Sequence, residues 1–158
     1  MHCRWMVQLD LPDLCAIEAQ TGGTWGEAEF RQALRARNCI GMVAENGRGE
    51  VVGYFIYELE RERLTLLRFA VRPDRQRSRV GRALMTKFAF KIVSHRKEYG
   101  AADVPETNLP ALLFLRACGW RAVKLSADAV RMVYAPSDAD YADLGYTRPV
   151  NRVAAWMR

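Results

Sequence analysis

A chain of 158 residues, half of them hydrophobic, has room for one buried core and not for two ordinary ones. Twenty-four Lys and Arg against 18 Asp and Glu leave a net charge of +6 and a pI of about 9.4, a moderate excess that makes a polyanionic ligand a reasonable expectation and the placement of the cations more telling than their total. No apolar run approaches a membrane span and MHCRWMVQLD lacks the features of a signal peptide, while Cys3, Cys15, Cys39 and Cys118 show neither CxxC nor Cys/His ligand spacing, so the expectation is a soluble cytoplasmic protein with reduced thiols, no membrane partner and no metal.

Residues 2–8 alternate loosely and predict a short edge strand. DLPDLCAIEAQ follows with Asp10 as a cap, Pro12 in the first turn and Leu14 and Ile17 at helical spacing. In TWGEAEFRQALRAR, behind the break TGG, Phe30 and Leu34 stand one turn apart and predict a second helix ending near Asn38. CIGMVAE and VVGYFIYELE, joined through an Asn-Gly turn in NGRG, predict a hairpin, and TLLRFAV adds a strand, so residues 39–71 read as an antiparallel meander. Over 80–97, Val80, Leu84, Phe88 and Ile92 recur every four residues and predict a helix whose apolar stripe needs a sheet to cover. YGAADV is a weak strand. NLPALLFLRACG is a helix opened by Asn108 and Pro110 and closed by Gly119, and WRAVKL and AVRMVY form a last strand pair around 126–128. Periodicity fails from Ala135, which predicts one domain at 1–134 and a tail or added segment at 135–158 with a short helix at its end.

The stretch RPDRQRSRVGR, Arg72 to Arg82, therefore carries a strand into a helix through a loop holding five arginines. A helix N-terminus presents backbone N–H groups without partners and a partial positive charge, so such a loop, with Gly81 in it, suits a phosphate. A solvated turn and a nucleic-acid contact are the alternatives; the latter needs aromatic side chains interleaved with the cations as stacking platforms, and this stretch has none.

VRPDRQRSRVGRAL resembles the acyl-CoA pyrophosphate loop of the GNAT N-acetyltransferase superfamily, Gln/Arg-x-x-Gly-x-Gly/Ala, here read as Gln76-Arg77-Ser78-Arg79-Val80-Gly81. A second signature of that family, an Asn ahead of a helix that ends in a Gly-aromatic pair, is matched by Asn108 and Gly119-Trp120 in ETNLPALLFLRACGWRAV. The order of elements over residues 4–134 is also that of the family. TWGEAEF, LLRFAVRPD and ETNLPALLFL are similar to words of the RimI-like branch, which acetylates the N-terminal alanine of a ribosomal protein. The resemblance implies an α/β GNAT fold: a mixed, mostly antiparallel seven-stranded sheet with helices on both faces.

It also implies acetyl-CoA as cosubstrate and a primary amine as acceptor, a protein N-terminus among the candidates. The main chain of Phe69, Ala70 and Val71 would pair with the pantetheine, and the backbone of Arg77, Ser78, Arg79, Val80, Gly81 and Arg82 would wrap the pyrophosphate. Asn108 would touch the pantetheine arm as well as cap its helix. The RimI-like base, a Glu five residues before the signature Asn, falls on Asp103, one methylene shorter; the family's tyrosine acid, seven residues after that Asn, falls on Leu115. Asp103 has a plainer reading as a strand-end carboxylate. Three departures bear on activity: Arg79 stands where the loop's first glycine belongs, Pro105 lies between Asp103 and Asn108, and KLSADAV leaves only a tight turn where RimI-like enzymes have a long loop. The alternative to an enzyme is therefore a weakened GNAT domain that binds acyl-CoA or a partner protein without efficient transfer.

Overall fold

The computed structural model describes residues 1–147. Its elements are β1 (His2–Trp5), α1 (Leu11–Gln20), α2 (Glu27–Arg35), β2 (Cys39–Glu45), β3 (Val51–Leu59), β4 (Arg63–Val71), α3 (Val80–Ser94), β5 (Tyr99–Pro105), α4 (Leu109–Ala117), β6 (Arg121–Leu125), β7 (Ala129–Tyr134) and α5 (Asp138–Asp143). The strands form a seven-stranded sheet in the order β1-β2-β3-β4-β5-β7-β6. Chain contacts divide into two compact units, Met1–Leu59 with Leu67–Lys87, and Glu60–Leu66 with the residues from Phe88 on.

In the first unit β1 pairs with β2 and β2 with β3, both antiparallel. Successive residues of β3 face opposite ways, and the sequence exploits this. Tyr54 is fully buried in a cluster with Leu14 and Ile17 of α1, Phe30 of α2 and Val43 of β2. Gly53, its neighbour, faces α3: a Cβ there would meet Leu84 Cδ1 at 2.9 Å, the Ala70 carbonyl at 3.1 Å and Val80 Cγ1 at 3.2 Å. Helices thus lie on both faces, and the missing side chain lets the start of α3 approach the strand.

Local chemistry departs from the sequence reading at three points here. The first strand stops at Trp5, and residues 8–10 form a 3₁₀ turn; Asp10 does not cap α1 but accepts from the Val7 N–H (2.8 Å) and pairs with Arg4 (2.8 Å). The hairpin turn is not a two-residue Asn-Gly turn. Asn46 Oδ1 accepts from the N–H groups of Arg48 (2.9 Å) and Glu50 (3.0 Å), and the left-handed glycine is Gly49 at φ 77°. The four cysteines are free thiols, each half-buried, and Cys15 packs against the core cluster.

In the second unit β4 and β5 run parallel with Arg63–Thr65 opposite Tyr99–Ala101, while β5 and β6 each pair antiparallel with β7. β4 continues six residues past that register and β5 four. Gly100 admits α3: a Cβ would meet Phe88 Cε1 at 2.7 Å and Ile92 Cδ1 at 2.8 Å. Phe88 stacks on the buried Trp120 with centroids 5.7 Å apart, which gives the Gly-aromatic pair after α4 a packing role. α3 ends at Ser94, three residues earlier than its pattern suggests, where Arg96 turns to φ 57°.

The segment after Ala135 contains α5. Ser137 caps it by accepting from Asp140 N–H (3.3 Å), and Tyr141 is fully buried, its hydroxyl donating to the Lys97 carbonyl. The Arg96 guanidinium lies 4.6 Å from the centre of the Tyr146 ring. The short helix expected at the end of the chain falls outside the described residues. No helix among the described residues is long and apolar enough to cross a membrane, and none of their His, Cys, Asp and Glu side chains group in a way that could hold a metal ion.

Candidate active site

The arginine loop leaves β4 at Val71 and is tied down along its length. Arg72 N–H donates to the Val52 carbonyl (2.8 Å), residues 73–75 make a 3₁₀ turn, and the Gln76 side-chain amide donates back to the Val71 carbonyl (3.2 Å). Arg77 and Arg79 then take left-handed conformations, φ 64° and 71°, while Ser78 between them does not. Alternating backbone of this kind is the form from which anion-binding nests are made, and the Ser78 N–H within it donates to the Arg75 carbonyl (3.3 Å). It is also costly for residues with a Cβ, by about 1 kcal/mol or more each. Arg79 therefore adopts the glycine conformation at the glycine position rather than displacing the loop.

Charge in this loop is mostly unspent. Arg72 is held by Asp74 through two hydrogen bonds of 2.6 and 3.1 Å. Arg75 forms no salt bridge, its charge reaching Asp74 and Glu50 only through space, and the guanidinium groups of Arg77, Arg79 and Arg82 have no acidic partner among the described residues. Val80 and Gly81 open α3, a helix of 15 residues, so the loop ends on a full helix N-terminus. Upstream, Phe69 is half-buried and Ala70 and Val71 are buried at the end of β4.

In the second unit, Asp103 lies on β5 with its side chain 52% exposed. Its two carboxylate oxygens accept from Arg131 Nε (2.6 Å) and Nη2 (2.9 Å), and the two residues stand opposite each other in the β5–β7 register. The Arg131 hydrogen bonds, assisted by the charges of Arg131, Arg63 and Lys124, hold the Asp103 carboxyl below its ordinary 3.8 despite opposing desolvation. Asn108 caps α4, its Oδ1 accepting from Ala111 N–H (3.3 Å), and its amide N–H groups meet no acceptor among the described residues. Leu115 is buried in α4 and carries no proton donor. Pro105 closes β5 opposite Ala129, and three residues join β6 to β7.

Sequence reading missed the most elaborate polar cluster of the first unit. Glu18, in α1 and only 2% exposed, accepts from Tyr54 Oη (2.5 Å), from Arg68 Nε (3.0 Å) and Nη2, and from Trp25 N–H (3.2 Å). Arg68 also lies over the Trp25 ring at 5.3 Å. Burial alone would raise the Glu18 carboxyl; the bonds from Arg68 and Tyr54 outweigh it and leave it below 4.5. The one signal was an arginine inside the apolar run LTLLRFAV, and Arg131 inside AVRMVY gave the same kind of signal for Asp103.

A strand-to-helix arginine loop on a mixed seven-stranded sheet of this order is the architecture of an acyl-coenzyme A-dependent transferase. The model of the acetyltransferase (GNAT) family matches residues 10–120, and the chain belongs to that family, N-acetyltransferases that draw on acetyl-CoA. Among solved structures, the Escherichia coli ribosomal-protein-S18-alanine N-acetyltransferase superposes with a TM-score of 0.75 at 21% identity, over 86% of this chain and 94% of that one. Ard1 from Thermoplasma volcanium gives 0.77 at 20% identity, over 86% and 97%. An aminoglycoside 6'-N-acetyltransferase complexed with coenzyme A gives 0.70 at 14% identity, over 87% and 99%. No curated protein matches the sequence.

Proposed function

We propose that this GNAT enzyme acetylates a primary amine of the RimI-like kind, an N-terminal amine of a protein, in the cytoplasm. The observation that carries the coenzyme half of this reading is the loop at 77–79, where two arginines hold left-handed backbone at the start of α3 beside unpaired guanidinium groups. Backbone N–H groups of residues 77–82 bind the pyrophosphate, the main chain of Phe69, Ala70 and Val71 pairs with the pantetheine, and the free amide of Asn108 takes a further coenzyme carbonyl. The arginine side chains match the remaining phosphate charge. The domain is taken as residues 1–134, with 135–158 as an added segment anchored through α5.

Asp103 is the proposed base. The acceptor amine attacks the thioester carbonyl, a main-chain N–H of β4 stabilises the oxyanion, and the amine proton passes to Asp103 directly or through one water. Because Asp103 sits below 3.8, it is ionised throughout the neutral range, so the rising arm of a pH–rate profile belongs to the acceptor amine. Leu115 supplies no proton, and a thiol pKa of about 8.5 lets the thiolate leave without an acid. The expected profile rises with pH and has no descending limb near pH 10 from a tyrosine. Titration calorimetry with acetyl-CoA tests the coenzyme half: absence of binding at millimolar coenzyme ends the reading.

One observation favours the second reading, a domain that binds acyl-CoA with little transfer. Asp103 already has both oxygens engaged by Arg131, which makes it a poor base until that pair loosens. Steady-state rates over a panel of N-terminal amines separate the two, since a binding domain takes up acetyl-CoA and turns over none of them.

A further inference from the structure

The sheet face that bears Asp103 carries more cations than acids, and the register shows how they come together. Residues opposite one another on neighbouring strands share a face. Asp103 stands opposite Arg131, and Arg131 stands opposite Lys124 on β6, so Lys124, Arg131 and Asp103 form one row across three strands. In the adjoining row Ala101 stands opposite Val133, and Val133 opposite Arg121. A β-bulge between Ala122 and Lys124 produces this alignment: in an unbroken ladder Val123 would stand opposite Arg131, and Lys124 would fall on the other face. Arg63 joins the face from β4, where it lies opposite Tyr99.

Among the described residues, two acids answer these four cations. Glu60 is committed to Arg63 Nε (2.9 Å) and Thr65 Oγ1 (2.6 Å), and Asp103 to Arg131. Arg121 is exposed with no acidic partner among the described residues, and Lys124, also exposed, forms no salt bridge, its charge reaching Asp103 only through space. An ammonium group approaching Asp103 on this face meets guanidinium and ammonium groups first, and like charges repel unless the molecule brings negative charge of its own. A carboxylate does so, and a guanidinium binds one in the same two-pronged way that Arg131 now binds Asp103.

We propose that the acceptor is an amine whose neighbouring groups are carboxylates, with Lys124 and Arg131 holding the acid and, by drawing Arg131 away, releasing Asp103 to take the amine proton. The inference rests on the acetyltransferase reading above and deepens it by naming the acceptor class. Its balance is simple: the amine nitrogen bonds to the acetyl carbon, the carbon–sulfur bond breaks, coenzyme A leaves as thiolate and the amine proton goes to Asp103.

The test compares N-terminal peptides with Asp and Glu at their second and third positions against the same peptides with Asn and Gln, together with a small amino acid against its amide, the latter pair separating a peptide source of the carboxylate from a free one. At low salt the acidic member of each productive pair should have the higher kcat/KM by about tenfold, with the ratio shrinking as salt is added. Lys124→Glu should bring the ratio to one or below. Equal rates, or faster amide substrates, overturn the proposal. Calorimetry with the acetylated peptides repeats the comparison without turnover, and failure of the acidic product to bind at millimolar concentration, or equal binding of the two, overturns it as well. An acetyl-CoA titration run beside these keeps the two failures apart, because loss of coenzyme binding sinks the enzyme reading whichever peptide is preferred.

Discussion

Two arginine–carboxylate pairs, one in each unit, have the same fork geometry and opposite surroundings. In Glu18–Arg68 the acid is 2% exposed and the guanidinium 26%; in Asp103–Arg131 the figures are 52% and 31%. Glu18 also accepts from Tyr54 and Trp25, so removing either member of its pair strands groups that water cannot reach. Asp103 has solvent beside it and, among the described residues, no side-chain hydrogen bond besides those from Arg131. Burial thus decides whether the same interaction is a fastening of the fold or a contact that a ligand can exchange.

The widest gap should appear in stability. Glu18→Ala leaves Arg68 and the Tyr54 hydroxyl without their acceptor and should cost about 3 kcal/mol in urea unfolding, whereas Asp103→Ala should cost about 1 kcal/mol or less. Equal losses would erase the distinction. Gly23→Ala attacks the same fastening sterically, since a Cβ there overlaps the Glu18 carboxylate and approaches Arg68 Nη2 at 2.9 Å, and it should fall between those two.

Turnover should reverse the order. Asp103→Asn is expected to lower kcat by about a hundredfold with acetyl-CoA affinity unchanged in calorimetry. Full turnover in that variant would make Asp103 a strand-end carboxylate and leave the base elsewhere or in bulk water.

Acid sharpens the contrast by a smaller amount. The Glu18 carboxyl lies below its ordinary 4.5 in the folded chain, so its contribution is complete above that value and is lost as pH falls through the lower folded value. Stability measured by denaturant should therefore decline on acidification below 4.5, and Glu18→Gln should flatten that slope, while Asp103→Asn flattens only the part beneath 3.8.

The smallest effect is expected in the arginine loop. Arg79→Gly relieves a left-handed residue and should stabilise the free protein by about 0.5–1 kcal/mol, while removing a guanidinium should weaken acetyl-CoA binding by roughly fivefold. Tighter binding instead would mean that the arginine obstructs the pyrophosphate.

Local pattern made the helices and the hairpin strands legible. The stripe of Val80, Leu84, Phe88 and Ile92 and the Asn108 cap with Gly119 behind it each lie within one element, where spacing alone carries the information. The loop's place was readable from its motif, but not its shape, because nothing in arginine's preferences announces φ 64° and 71°. The partners of the two carboxylates were invisible for a different reason. Arg131 lies 28 residues from Asp103 and Arg68 lies 50 from Glu18, and such meetings depend on strand register, which one sequence does not specify. α5 was missed because six residues are too few for a periodic stripe, and only Tyr141 among its residues is buried.

That side chain reaches far back along the chain. The Tyr141 hydroxyl bonds to the carbonyl of Lys97, 44 residues earlier, two positions before β5 begins. β5 is the strand that carries Asp103, so the segment beyond residue 134 and the strand of the proposed base should share one opening event in hydrogen exchange. Cutting the chain after Tyr134 would then speed deuterium uptake along Tyr99–Pro105 first, and α5 would count as a brace for the base rather than as an appendix.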